Sequence, residues 1–442
     1  MTGRTHLLAA WSRLRSTYWF VPSLMTAGAV GLAFLLVAVD RLSTDESPWL
    51  GWVYGGGADG ARSLLSAIAG STITVVSLTF SVTVVALTVS SQHFGPRLLA
   101  NFMRDSAAQF VLGMFIGTFA YCLVVLRTVQ GDGAAYDRFV PHMSVTVAVA
   151  LALVSVAGLI YYLHHVAASM QVSEIALNVA RDLDAAIDRL YPEDAGSEPE
   201  PPPSRLPEPA PGGTIVAARS DGYVQAIDLD ALLALAGEHE TTLWLRARPG
   251  DFVTTGTPLA TASPPPADAN PFADALHEAY LLGADRTAWQ DAEFAVQQLV
   301  EVGLHALSPG INEPFTAITC IDRLRQGLNR LVTRRIPSGV RTDAAQKVRL
   351  IAEPRSFPSL LAAAFDPIIL FAGPNPAIYG RLLDAVEGLG RRARRPLDRA
   401  AIGVQTAAIR EAALREIRDE RARRMIEDGH QRVLDALAGR EE

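Results

Sequence analysis

Four long apolar segments constrain the fold of this chain more than any other feature of its sequence. They cover residues of roughly 18–39, 63–91, 109–126 and 143–163. A helix needs about 17–25 such residues to cross a bilayer. The first segment is long and lacks a small-residue cleavage site, so we interpret it as an anchor and not as a signal peptide. Together the segments predict a transmembrane domain over residues 1–168.

The remaining sequence has the composition of a water-soluble protein. A connecting helix is predicted for residues 169–191, and a linker rich in Pro and Glu for 192–213. Alternating apolar residues and Gly-containing turns predict a small β module at 214–262, and residues 271–442 show a helical pattern. The expected fold class is an α-helical integral membrane protein with four transmembrane helices, followed by a cytoplasmic region with a small β module and a helical domain.

The basic residues favour one orientation in the membrane. Arg4, Arg13 and Arg15 precede the first span, and Arg97 and Arg104 follow the second. The opposite loops combine their arginines with several acidic residues. Because basic loops tend to stay in the cytoplasm, we expect a multi-pass protein of the bacterial inner (plasma) membrane. Both termini, and everything after the fourth span, are expected in the cytoplasm.

Composition and motifs argue against several functions. The net charge of −7 gives no general attraction to nucleic acid. Cys122 and Cys320 lie in different regions and form neither a disulfide framework nor a metal-binding pair. The run from Pro249 to Val253 resembles a lipoyl- or biotinyl-type repeat, but no lysine is present to carry the prosthetic group. Nucleotide-binding and common hydrolase motifs are missing too. We expect no cofactor, no metal and no enzymatic activity.

The second span carries more hydroxyl groups than a membrane anchor needs. At about 100° per residue, its small and polar side chains fall on a single stripe along the helix. The candidate pore-lining residues on this stripe are Ser66, Gly70, Thr74, Ser77, Ser81, Thr88, Ser91 and Gln92. A second, looser line contains Thr72, Thr79, Thr83 and Ser90.

Two interpretations of the stripe are open. Small and hydroxylated residues allow helices to pack closely within a membrane, or the stripe lines a water-filled path for ions in an oligomer. Gly113 and Gly117 in the third span form a GxxxG motif, which predicts a helix contact. The four spans contain no Asp, Glu, Lys or Arg, residues that active transporters use at mid-membrane. The sequence therefore argues against active transport.

A helix–break–helix pattern stands out in the soluble half. One helix is predicted from about Thr287 to Leu307, and a second one ends at Leu331. The break contains Ser308, Pro309, Gly310, Asn312, Glu313 and Pro314. Asn312 is the expected cap, and Pro314 suits the first position of a helix. Backbone N–H groups at this helix start could bind an anion, or the break could be a tight corner between two helices.

A basic cluster follows later in the soluble half. It consists of Arg391, Arg392, Arg394 and Arg395. Such a cluster could contact lipid headgroups, contact acidic partners, or remain a solvated face.

Three stretches of the sequence are similar to one known family. They are SSQHFGPRLL at 90–99, the pair Asp285-Arg286-Thr287 and Gln290-Asp291, and ALSPGINEPFTAITCID at 306–322. Together they resemble the bacterial predicted membrane proteins named domain of unknown function 2254. The resemblance implies a four-span inner-membrane protein with a cytoplasmic C-terminal half, and it implies no particular activity.

Two functions from different classes are compatible with the sequence. The first is a homo-oligomeric, passive, ion channel-like protein with a regulatory cytoplasmic domain. The second is a non-conducting membrane sensor or scaffold that recruits partners through its cytoplasmic half. In both, the expected partners are membrane lipids and further copies of the chain, and the first adds small ions.

Overall fold

The chain divides into two compact units, which we call unit 1 (Met1–Gln171) and unit 2 (Val172–Glu442). The structure is a computed structural model. It describes residues 19–42, 54–94, 106–131, 139–169, 171–193, 208 and 211–439. The basic residues used to predict orientation, most of the predicted linker and half of the SSQHFGPRLL stretch (95–99) lie outside these ranges.

Unit 1 consists of four long helices in its described ranges. They are α1 (Phe20–Leu42), α2 (Ala58–Phe94), α3 (Ser106–Thr128) and α4 (His142–Ser169). Each contains a stretch that is long and apolar enough to cross a membrane. Their charged residues stand only near the helix ends, for example Asp40 in α1 and Arg127 in α3. The four predicted spans are therefore present as helices.

The third helix, α3, lies at the centre of unit 1 and packs against the other three. Within its apolar stretch 61% of the residues are buried, against 17–22% in the other helices. A Cβ atom at Gly113 would lie 2.8 Å from Sδ of Met25, and one at Gly117 would lie 3.3 Å from Cβ of Ala29. The GxxxG motif is thus confirmed as a helix contact, because its glycines let α1 approach α3 closely.

Unit 2 mixes helices and short strands. Its helices are α5 (Val172–Leu190), α6 (Leu229–Glu238), α7 (Ala269–Ala279), α8 (Ala292–Leu307), α9 (Pro314–Leu331), α10 (Phe357–Phe371), α11 (Pro376–Arg392), α12 (Pro396–Glu416) and α13 (Glu420–Ala438). Its strands are β1 (Thr214–Ala217), β2 (Gly222–Ile227), β3 (Thr242–Leu245), β4 (Phe252–Val253), β5 (Pro258–Ser263), β6 (Tyr280–Gly283), β7 (Val340–Thr342) and β8 (Val348–Ile351). The described residues thus form thirteen helices in all.

The strands form two small sheets. The larger has the order β1-β5-β3-β8-β7, and the smaller has the order β4-β2-β6. In the larger sheet β3 and β8 are parallel, with Leu243 opposite Leu350. The expectation of a purely helical pattern from residue 271 onward is therefore wrong, since β6, β7 and β8 come from that region. These strands have only three or four residues each, too few to show an alternating pattern.

The predicted connecting helix corresponds to α5, which belongs to the core of unit 2. Its buried face includes Ile175, Val179, Leu183 and Ile187, and it packs against α8 and α9. Gly327 of α9 makes room for this face, because a Cβ atom there would lie 2.5 Å from Leu183. The helix is therefore held in a fixed place within unit 2.

Candidate functional site

The polar stripe of α2 faces away from the other three helices. Its described members Ser66, Gly70, Thr74, Ser77, Ser81 and Thr88 are all exposed on unit 1. The opposite side of α2, with Leu65, Thr72 and Thr79, is buried against the neighbouring helices. Ser91 and Gln92 continue α2, but their side chains lie outside the described part of the chain. Among the described residues of unit 1, the stripe is therefore not a packing seam.

Apolar residues flank the stripe on the same outward surface. Leu78, Phe80 and Val85 are 55%, 51% and 61% exposed. The outward side of α2 is thus a line of small polar residues between two apolar ridges. Such a surface can face lipid with its ridges while its polar line meets water or another subunit.

The hydroxyl groups of the stripe donate hydrogen bonds within α2 itself. Thr74 donates to the carbonyl of Gly70 (2.9 Å) and Ser81 to that of Ser77 (2.9 Å). Thr88 donates to the carbonyl of Val84 (2.8 Å) in the same way. Each O–H donates to the backbone carbonyl one helical turn earlier. The lone pairs of the hydroxyl oxygen therefore remain free to accept hydrogen bonds or to contact a cation. The stripe therefore presents acceptors outward.

The second line of hydroxyl groups on α2 points inward and ties the helices together. The hydroxyls of Thr83 and Tyr162 lie 2.5 Å apart, and Tyr162 also donates to the carbonyl of Thr79 (3.2 Å). Thr118 of α3 and Ser155 of α4 lie within 3.2 Å of each other. The two polar lines of α2 thus differ: the inner one contributes to packing, and the described members of the outer one are exposed.

Polar contacts also join the helix ends on one side of unit 1. Asp40 of α1 accepts hydrogen bonds from the backbone N–H groups of Met143 and Ser144 at the start of α4, both at 2.9 Å. Tyr121, which is fully buried, donates to the carbonyl of Ser144 (2.9 Å). These contacts fix α1 and α3 against the first turn of α4.

The break between α8 and α9 is a tight corner. The backbone N–H of Glu313 donates to the carbonyl of Ala306 (2.8 Å), and that of Asn312 donates to Ser308 (2.9 Å). The helix cap is Glu313, not Asn312 as expected, because Asn312 adopts a left-handed backbone conformation with φ of +52°. Pro314 occupies the start of α9 as expected. The loop amides are used internally, and the Glu313 carboxylate stands at the helix start, so this geometry does not favour an anion.

A buried ion pair lies near the second of the family-like stretches. Asp291 is only 1% exposed, and its carboxylate accepts from Nε (3.0 Å) and Nη2 (2.5 Å) of Arg286. It also caps α8 by accepting from the N–H of Phe294 (3.2 Å). For this reason α8 begins at Ala292, later than the expected start at Thr287. Gly250 must be glycine here, because it has φ of +95° and a Cβ atom would collide with the Asp291 carboxylate.

Further charges extend this ion pair into a network. Arg355 pairs with Glu293 (2.9 Å) on α8 and with Asp251 (3.5 Å) in the turn after β3. Burial raises the pKa of Asp291, and the Arg286 guanidinium opposes that shift. Since the charges pair with one another, the network joins the β sheets to the helices of unit 2. The sequence indicated Arg286 and Asp291 only through the family-like stretch, and it gave no signal for Arg355.

Among the described residues, no group of three His, Cys, Asp or Glu side chains is placed to hold a metal ion. The candidate residues of the sequence thus fall in two separate places. The stripe forms the outer face of α2 in unit 1, and the helix-break residues form a corner in unit 2.

The described part of the chain has four helices that are long and apolar enough to cross a membrane, followed by a mixed α/β unit. The chain belongs to the family of predicted membrane proteins described as domain of unknown function 2254, whose model matches residues 15–388. It is similar to uncharacterized proteins of Mycobacterium bovis and Mycobacterium tuberculosis. Each is 33% identical over 421 residues, which cover 93% of this chain and 79% of the relative. No solved structure matches it. The family resemblance is thereby confirmed.

Proposed function

We propose that the protein is a homo-oligomeric, passive, channel-like protein of the bacterial inner membrane. In this proposal the outward stripes of several α2 helices surround a water-filled path. Unit 2 then lies in the cytoplasm and regulates the path. The observation that carries the proposal is the outward position of the stripe, from Ser66 to Thr88, on a helix whose inner face is already packed.

The length of the stripe supports a path more than a local contact. Ser66 and Thr88 are separated by 22 positions, or about 33 Å along a helix at about 1.5 Å per residue. The hydrocarbon core of a bilayer is about 30 Å thick. The stripe is therefore long enough to span the whole apolar layer, whereas a small-residue contact between helices needs only a few positions.

The chemistry of the stripe supports water or a cation as its neighbour. Hydroxyl oxygens that face hydrocarbon keep the hydrogen bonds that they donate within α2 but lose those that water would donate to them, which is unfavourable. In a water-filled path the same oxygens are solvated, or replace part of the hydration shell of an ion. No Asp, Glu, Lys or Arg lies between Arg62 and the end of α2. We therefore infer passive flow with weak selectivity, and no enzymatic activity.

A non-conducting sensor or scaffold is the second candidate. Unit 2 exposes large apolar side chains, including Phe315 (80%) and Val404 (72%), which a protein partner could cover. In this alternative the stripe is a contact between subunits, and the small side chains bring two copies of α2 together.

Leucine substitutions separate the two candidates. Ser77→Leu and Ser81→Leu are introduced singly, and the purified proteins are reconstituted into liposomes. Ion flux and thermal unfolding are measured on the same samples. For a path, flux falls and the melting temperature stays near that of the wild type, because bulky apolar residues narrow and dewet a pore.

Val85→Leu is the matched control, because Val85 is exposed on the apolar ridge and lies off the stripe. This variant should change neither the ion flux nor the melting temperature. If the wild-type protein carries no flux, and the stripe variants lose the oligomer or much of their stability, the stripe is a packing contact and the channel proposal fails.

A further inference from the structure

The corner between α11 and α12 is a basic surface segment of unit 2. Residues 387–399 contain five arginines and two acidic residues, Glu387 and Asp398, which gives a local charge of +3. The α11 helix ends at Arg392 and α12 begins at Pro396. The excess of arginines is therefore concentrated on one short turn.

Three of the five arginines make contacts within the chain. Arg395 pairs with Asp398 (2.6 Å), and Arg391 pairs with Glu387 (2.8 Å). Arg399 donates to the carbonyl of Ala393 (3.1 Å). These contacts hold the turn in one conformation. Both acidic residues of the segment are engaged in these ion pairs.

The other two arginines, Arg392 and Arg394, are exposed. Neither has an ion-pair partner among the residues that the structure describes. Arg391 is also accessible, since 68% of its side chain is exposed despite its pair with Glu387. That glutamate also pairs with Arg432 of α13 (3.2 Å).

Neighbouring residues enlarge this surface. Leu397 stands at the start of α12 with 68% of its surface exposed. Nη1 of Arg395 donates to the carbonyl of Arg334 (2.5 Å), which brings the exposed Arg335 next to the turn. The surface thus combines exposed guanidinium groups with an exposed leucine. We call it the basic corner, and it consists of Arg335, Arg391, Arg392, Arg394 and Leu397.

We propose that the basic corner docks on a bilayer surface that carries anionic lipid headgroups. Guanidinium groups donate two parallel hydrogen bonds to a phosphate and are weakly hydrated, which suits them to lipid phosphates. An apolar side chain beside such a basic group can enter the boundary between headgroups and acyl chains, and Leu397 is placed to do so. Four arginines match the clusters that bind anionic membranes through charge.

In this proposal the position of unit 2 depends on the lipid composition of the bilayer, whether or not the protein conducts ions. Each exposed arginine near an anionic surface strengthens the attraction about fivefold. The attraction falls with salt, because the screening length shortens from about 10 Å at 0.1 M to about 3 Å at 1 M. Docking should therefore depend on lipid charge, on ionic strength and on these particular arginines.

The test is a distance measurement on the full chain in lipid nanodiscs. A fluorophore is attached through Ala400→Cys, which is exposed, lies on α12 close to Leu397 and leaves the basic corner intact. The wild-type chain is the labelling blank, because Cys122 and Cys320 are both buried. Quenching by lipids that carry a nitroxide on the headgroup is compared between phosphatidylcholine discs and discs with added phosphatidylglycerol.

Docking predicts stronger quenching in the anionic discs and its loss at 1 M salt. The double variant Arg392→Gln, Arg394→Gln should lower the docked fraction, with a fall of about 25-fold in the docking equilibrium, fivefold for each arginine. The matched control is Arg418→Gln with Arg421→Gln. Both arginines are exposed, Arg418 between α12 and α13 and Arg421 in the first turn of α13, and the change should leave the quenching unchanged.

Equal quenching in neutral and anionic discs would overturn the proposal, as would an unchanged signal in the Arg392→Gln, Arg394→Gln variant. If the label stays shielded from solvent in detergent without lipid, a protein must cover it. That result would also overturn the proposal and would assign the basic corner to a protein partner.

Discussion

Asp40 at the end of α1 holds the first turn of α4 through Ser144. Its Oδ2 atom accepts a hydrogen bond from the Ser144 N–H (2.9 Å) and another from the Ser144 hydroxyl (2.6 Å). A carboxylate in this position satisfies N–H groups that a helix start leaves unpaired, and it interacts favourably with the helix dipole. A residue more than one hundred positions away thus caps the fourth apolar helix.

Replacing Asp40 should destabilise unit 1 locally. Asp40→Ala removes the cap and should cost about 1–2 kcal/mol, the usual effect of losing an N-cap side chain. Thermal unfolding of the purified protein in detergent measures the loss. Asp40→Asn keeps an oxygen acceptor and should cost less. If Asp40→Ala and Asp40→Asn both melt like the wild type, the cap does not stabilise α4.

The contact between α1 and α3 depends on the absence of a side chain at Gly113. Gly113→Ala places a methyl group 2.8 Å from Sδ of Met25 and 3.0 Å from Cα of Pro22. Overpacking of this kind should cost about 1–3 kcal/mol. Gly31→Ala is the control, because a Cβ atom there meets nothing within 4 Å. Equal melting temperatures for the two variants would show that α1 and α3 do not pack through Gly113.

Breaking the ion pair between Arg286 and Asp291 should destabilise the protein far more than breaking an exposed pair. Asp291→Ala leaves a buried guanidinium without its carboxylate and should cost about 3–5 kcal/mol. Denaturant unfolding of the full chain measures this value. The control is Glu353→Ala, which removes an exposed partner of Arg248 and should cost less than about 1 kcal/mol. Similar losses in both variants would contradict a structural role of the buried network.

The pair of Glu427 and Arg410 between α12 and α13 should respond to acid. Two hydrogen bonds from Arg410, both 2.6 Å, lower the pKa of Glu427 below its ordinary value of 4.5. A lowered pKa in the folded state means that the stabilisation is complete above pH 4.5 and is lost as the pH falls through the folded value. Glu427→Gln should therefore remove part of the acid sensitivity of unfolding. If the stability of this variant depends on pH as that of the wild type does, the pair of Glu427 and Arg410 does not contribute to acid sensitivity.

If α2 lines a path, a charge on the stripe should change ion selectivity. Ser77→Asp should favour cations and Ser77→Lys anions, measured as opposite shifts in reversal potential. Two charges about 4 Å apart in water interact by about 1 kcal/mol, so the permeability ratio should change by about fivefold or more. Stable variants with the reversal potential of the wild type would place Ser77 outside any conduction path.

The local sequence determined much of the architecture. Hydropathy and length are properties of a continuous segment, so the four long helices of unit 1 could be read directly. The same holds for the helix that starts at Pro314 and ends at Leu331. A proline at a helix start and the spacing of apolar residues along a helix are both signals that lie within a few neighbouring residues. Helical geometry alone also placed Ser77 and Ser81 on one stripe.

Other features could only be decided by the tertiary structure. Periodicity shows that α2 has two polar lines, but not which one faces inward; that depends on contacts such as Thr83 with Tyr162, 79 positions apart. The strand β8 becomes visible only through its pairing with β3, and Asp291 becomes buried only when the turn at Gly250 closes over it. Local propensity acts over a few residues, whereas burial and pairing are set by whichever distant segments pack alongside. The sequence therefore determined the helices, and packing decided which of their faces remain free.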